Sequence, residues 1–139
     1  MVELIVGPKG RGKTKYLLDY AAREITEANG SIVFLDKNKK HMYELSNRIR
    51  LIDMSHFNIR TSEEFVGFIL GILSQDHDLE LVIMDAFLTT ANLEGKDITP
   101  TINRLDEISA SFNVKFVLSV GLSEDEVPDL LKDHITASL

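Results

Sequence analysis

Short, almost wholly apolar runs recur along the chain, separated by longer stretches in which apolar residues return every three or four positions. Residues 2–6 (VELIV) are β-branched, largely apolar and have the length of a buried strand. Residues 13–29 place Tyr16, Leu17, Tyr20, Ala21, Ile25 and Ala28 at roughly helical spacing and stop at Asn29-Gly30. A second strand over residues 31–35 (SIVFL) ends in Asp36 and a polar loop. Residues 40–48 have the look of a short helix, and residues 51–54 of a short strand suited to a sheet edge. Thr61-Ser62-Glu63-Glu64 is a T-x-x-E capping box before an apolar helix that runs to about Ser74.

Residues 79–84 form a clear strand, closed by Asp85. Thr99 can cap a helix whose first position is Pro100, where a missing N–H costs nothing, and Asn113 ends it. Residues 114–120 (VKFVLSV) are the last strand expected, and the tail adds one short helix from near Pro128. The fold class that follows is α/β, a three-layer α/β/α sandwich with a mostly parallel sheet of about five strands, in a single domain over residues 1–139.

The loop between the first strand and the first helix carries the chemistry. Gly7-Pro8-Lys9-Gly10-Arg11-Gly12-Lys13-Thr14 fits G-x-x-x-x-G-K-[ST] completely, with Lys15 following. Glycines let successive N–H groups converge on a phosphate, and the N-terminus of the following helix adds partial positive charge. The Lys13 ammonium then reaches the outer phosphates, while the Thr14 hydroxyl can enter the octahedral shell of an accompanying Mg²⁺. A nucleoside triphosphate is the ligand expected, with residues 7–15 as its binding segment.

Charge sharpens that expectation. The net charge is −7, yet residues 1–50 hold ten basic and six acidic side chains, and residues 51–139 five and sixteen. The basic half is the one with the phosphate loop, and Lys37, Lys39 and Lys40 read as a solvated loop in preference to a second anion site. The acidic total argues against nucleic acid as the main ligand. With no cysteine there is no disulfide and no thiolate metal site, which suits the cytoplasm. His41, His56, His77 and His134 lack metal-ligand spacing. The first apolar run is too short for a secretory leader, and residues 65–73 (FVGFILGIL) are too short to span a bilayer.

In a parallel sheet ligands sit at the carboxyl ends of strands, so a partner for the loop should end another strand. Leu81-Val82-Ile83-Met84-Asp85 supplies one: four apolar residues and then a carboxylate, the Walker B pattern that holds Mg²⁺ directly or through water. With both motifs in place the chain resembles the P-loop NTPases over most of its length, and within them the RecA-like (ASCE) branch. That resemblance implies a strand between those of the two motifs, a position suited to residues 114–120, and a γ-phosphate-sensing role for Ser119; a serine satisfied within the sheet is the equal alternative. In size and in its loop the chain is also similar to small stand-alone bacterial ATP-binding proteins labelled twitching-motility-like ATPases. The acidic and histidine boxes of the motility ATPases proper have no counterpart here.

ATP is expected before GTP, because Asn38-Lys39-Lys40-His41 and Asp85-Ala86-Phe87-Leu88 each miss the last position of the guanine and metal motifs of GTPases. The glutamate that RecA-like ATPases commonly place beside this aspartate is Ala86 here, which leaves Asp36 and Glu94 as candidates to orient water. Lys13, Asp85, Ser119, Asp36 and Glu94 are thus the catalytic candidates, with Thr14 and Asp85 for the metal. Arg48, Arg50, Arg60 and Arg104 are isolated, and an arginine finger supplied across a subunit boundary would make a homo-oligomer or a protein partner part of the machinery. The leading expectation is a Mg-dependent ATPase coupled to a partner. A small-molecule kinase, with Glu94-Gly95-Lys96-Asp97 as its only lid-like stretch, and a non-hydrolysing switch or assembly module are the alternatives.

Overall fold

A computed structural model describes residues 1–139. Six strands form one sheet: β1 (Val2–Val6), β2 (Ser31–Asp36), β3 (Ile49–Asp53), β4 (Leu79–Met84), β5 (Lys115–Val120) and β6 (Ile135–Ser138), in the order β3-β2-β4-β5-β1-β6. Every pairing is parallel. Four helices accompany them: α1 (Lys13–Glu27), α2 (Ser62–Gln75), the single turn α3 (Phe87–Thr90) and α4 (Thr99–Phe112).

The order of strands decides which face each helix covers. The step from β1 to β2 runs one way across the sheet, while those from β3 to β4 and from β4 to β5 run back. Right-handed crossovers in opposite directions must lie on opposite faces. Accordingly Leu17, Tyr20, Ala21 and Ile25 of α1 pack with Ile5, Ile32, Phe34, Ile83 and Val117 in one core. Phe65 and Ile69 of α2 and Ile102 and Leu105 of α4 pack with Leu4, Val33, Val82 and Leu118 in the other. Strands buried on both faces have to be apolar at successive positions, which explains the runs in the sequence.

The strand count is six where about five are expected. The additional strand, β6, lies beside β1 at the sheet edge: Val6 pairs with Ser138, and the Leu139 N–H bonds to the Val6 carbonyl at 2.9 Å. Other boundaries move as well. The helix expected over residues 40–48 is a single 3₁₀ turn, Met42–Glu44, with Met42 and Tyr43 exposed. β3 begins at Ile49, two residues earlier than the pattern suggests, because Ile49 is buried opposite Ile32 while Arg50 faces solvent on this edge strand. In the tail, Pro128 precedes a 3₁₀ segment, Asp129–His134, in place of a short α-helix.

The caps are local. The Thr61 hydroxyl accepts the Glu64 N–H at 3.1 Å ahead of α2. α4 starts one residue earlier than expected, with Ile98 at its cap, and the Asp97 carboxylate accepts the Thr99 N–H at 3.0 Å. Asn113 ends α4 in the left-handed conformation, φ 55°. No helix is long and apolar enough to cross a membrane.

Candidate functional site

The carboxyl ends of β1, β5, β4 and β2 open onto a cavity of about 420 Å³. Lys9, Gly10, Gly12, Lys13 and Thr14 line it from the loop and the start of α1; Lys37 lines it from β2, Asp85 and Ala86 from β4, and Ser119 and Gly121 from β5. Leu88, Thr89 and Glu94 complete the lining. Gly7, Pro8, Arg11 and Lys15, also expected in the binding segment, do not line it. Lys15 is turned to the surface and pairs with Asp19 at 2.9 Å.

Glycine is needed in the middle of the loop and at its end. Gly10 and Gly12 have φ 85° and 83°, the left-handed region that L side chains resist, so the chain can fold back into the first turn of α1. The Lys13 ammonium folds under this loop and donates to the Gly7 carbonyl at 2.6 Å and the Pro8 carbonyl at 2.9 Å. Burial holds Lys13 below the ordinary lysine pKa, and the nearby Asp85 charge works against that shift.

Asp85 is the hub of the site. Only 4 % exposed, it accepts the Thr14 hydroxyl on Oδ2 at 2.9 Å and the Ser119 hydroxyl on Oδ1 at 2.7 Å. Ser119 in turn accepts the Ala86 N–H at 2.8 Å, which ties the turn after β4 to β5. That turn is strained: Ala86 has φ 52°, a conformation that costs a residue with a Cβ about 1–2 kcal/mol. Thr14 and Asp85 thus bring a hydroxyl oxygen and a carboxylate oxygen together from segments 71 residues apart. Two hard oxygens on the wall of this cavity suit Mg²⁺, which takes only one or two ligands from protein and the rest from water and phosphate.

The structure separates the two water-orienting candidates. Glu94 lines the cavity and accepts the Thr89 hydroxyl at 2.8 Å. Asp36 does not line it; the residue is fully buried, with Oδ2 3.0 Å from His41 Nδ1 and Oδ1 without a partner. The arginines are placed elsewhere: Arg48 bonds the Ile25 carbonyl, Arg50 pairs with Asp76 and Arg104 with Glu107, and none of the three, nor Arg60, lines the cavity. Lys37, expected in a solvated loop, stands instead on the cavity wall. Its place directly after Asp36, at the carboxyl end of a parallel strand, is the signal that points there. Leu88 and Thr89 belong to α3, a single turn with no periodicity from which to infer it. No model of a known protein family matches the chain, and no curated protein matches it either.

Proposed function

We propose that the chain binds Mg·ATP through residues 7–14 and acts as a Mg-dependent ATPase coupled to a protein partner, a P-loop NTPase of the RecA-like branch. The observation that carries this reading is the Thr14–Asp85 contact of 2.9 Å on the same cavity as the glycine loop. A hydroxyl following the loop lysine and a carboxylate ending a neighbouring strand are the protein ligands such nucleotides use for their metal. The position of β5 between β1 and β4, the two strands that bear these motifs, supports the same branch.

Each residue has a task in this reading. Backbone N–H groups of the loop and of the first turn of α1 receive phosphate oxygens. Lys13 exchanges its two carbonyl acceptors for phosphate oxygens, a trade favoured by charge. Thr14 and Asp85 hold the metal, which supplies positive charge to the phosphate oxygens when bound. Ser119 fixes the Asp85 carboxylate from behind. Glu94 is the one carboxylate other than Asp85 on the cavity wall, which makes it the candidate to orient water.

A nucleotide-binding switch without turnover is the second reading, and one arrangement favours it. Ala86 stands where a water-orienting glutamate is common, and Asp36 is engaged with His41. Phosphate release from Mg·ATP separates the readings, measured on wild type and Asp85→Ala, alone and with cell extract. Turnover that needs the extract and is lost in Asp85→Ala supports the coupled ATPase. Binding with no turnover under either condition supports the switch.

A further inference from the structure

Three lysines line one cavity, and they come from two sides of it. Lys9 and Lys13 belong to the glycine loop, whereas Lys37 rises from the carboxyl end of β2. In the order β2-β4-β5-β1, neighbouring strands lie about 4.8 Å apart. The end of β2 is therefore about 14 Å from that of β1 but only about 5 Å beyond that of β4, where Asp85 stands. A row of phosphates whose inner groups rest on the glycine loop, with a metal at Thr14 and Asp85, extends its outermost group towards β2.

We propose that Lys37 contacts the terminal phosphate and makes the site discriminate a nucleoside triphosphate from a diphosphate. This rests on the nucleotide reading above and adds to it the residue that senses the nucleotide's state. Charge supports the assignment. Asp85 and Glu94 line the same cavity with Lys9 and Lys13, and Lys37 turns that even balance of charged side chains into a net positive one.

Lys37 is also uncommitted and well anchored. Lys15 pairs with Asp19, Lys115 with Glu3 and Lys132 with Asp129, while Lys37 has no ion-pair partner in the chain. The side chains of the residues on either side of it are engaged. Asp36 is buried at the strand end and engages His41, and the Asn38 carbonyl oxygen of the side chain accepts the Lys40 N–H at 2.8 Å. Only the side chain of Lys37 then has to be ordered by a ligand, which keeps the entropic cost of the contact low.

The test is calorimetric titration with Mg·ADP and with the magnesium complex of the non-hydrolysable β,γ-imido analogue of ATP. Four proteins are compared: wild type, Lys37→Ala, Lys37→Arg and Lys40→Ala, the last removing a charge from the same loop off the cavity wall. Lys37→Ala should weaken the triphosphate analogue by about tenfold to a hundredfold, the range of a charge-assisted hydrogen bond, and leave ADP within about twofold. Lys37→Arg should recover most of the loss, and Lys40→Ala should change neither nucleotide by more than about twofold. Equal weakening of both nucleotides by Lys37→Ala, or of the analogue by Lys40→Ala to the same degree, overturns the assignment and leaves nucleotide binding standing. Wild type that binds neither nucleotide overturns both.

Discussion

Replacing Ser119 with alanine removes one hydroxyl and two hydrogen bonds, the donation to Asp85 Oδ1 at 2.7 Å and the acceptance from the Ala86 N–H at 2.8 Å. Ser119 is 1 % exposed, so water does not take the hydroxyl's place at the floor of the cavity without rearrangement. A hydrogen bond to a charged group contributes about 1.5–3 kcal/mol, and leaving a backbone N–H unpaired costs about 1–3 kcal/mol. Since the Asp85 side chain borders the open cavity and solvent compensates part of this loss, the expected destabilisation is about 3 kcal/mol. With an unfolding entropy of about 2.1 cal/mol/K per residue, a chain of this length loses about 10 °C in Tm. Urea unfolding should show the midpoint falling with an unchanged slope, the mark of lost stability without a change in the surface exposed. The cycle with Asp85→Ala should give a coupling of about 1–2 kcal/mol, because each single change removes the same contact. A Ser119→Ala loss below about 0.5 kcal/mol, or additive effects in the cycle, would refute the role given to Ser119 as the support of Asp85.

Two backbone positions should respond with opposite signs. A Cβ added at Gly7, whose φ is 151°, would meet the Leu139 carbonyl oxygen at 2.8 Å, so Gly7→Ala should cost about 1–3 kcal/mol and raise the hydrogen-exchange rate of the Leu139 amide, which bonds to Val6; unchanged exchange and stability would contradict this. Ala86→Gly relieves a left-handed residue at the price of a more flexible unfolded chain, and should raise stability by about 0.5–1 kcal/mol in thermal unfolding. A loss on that change would show that the alanine methyl is held by contacts of greater worth than the strain.

Much of the fold is legible in the chain because both faces of the inner strands are covered. VELIV, SIVFL, the run ending at Asp85 and VKFVLSV have to be largely apolar, and each stands out in the sequence for that reason. β6 escapes the pattern because only Ile135 and Ala137 are half-buried and their neighbours are exposed, so that Ile135-Thr136-Ala137-Ser138 looks like a polar tail until β1 provides its partner. Residues 40–48 mislead in the opposite direction. Their spacing imitates a helix, yet Met42 and Tyr43 are exposed, and a helix with no buried face is not held together by propensity alone. At the site, Thr14 and Asp85 are legible singly from their motifs, but their contact depends on β5 separating β1 from β4. The neighbours met by Asp36, the last residue of β2, and by Lys37 and Glu94 beyond their strands depend on how individual loops turn, which periodicity does not encode. Hence Asp36 is found against His41, and Glu94 and Lys37 on the cavity wall.

The measurement nearest the central claim is calorimetric titration of the whole chain with Mg·ATP, beside Mg·ADP and Mg·GTP, on wild type and Lys13→Ala. The account predicts heat of binding with ATP at wild type and a loss of about 1–3 kcal/mol in Lys13→Ala, the scale of a charge-assisted contact. No heat with any of the three nucleotides at millimolar concentration, or equal affinity in wild type and Lys13→Ala, would contradict it.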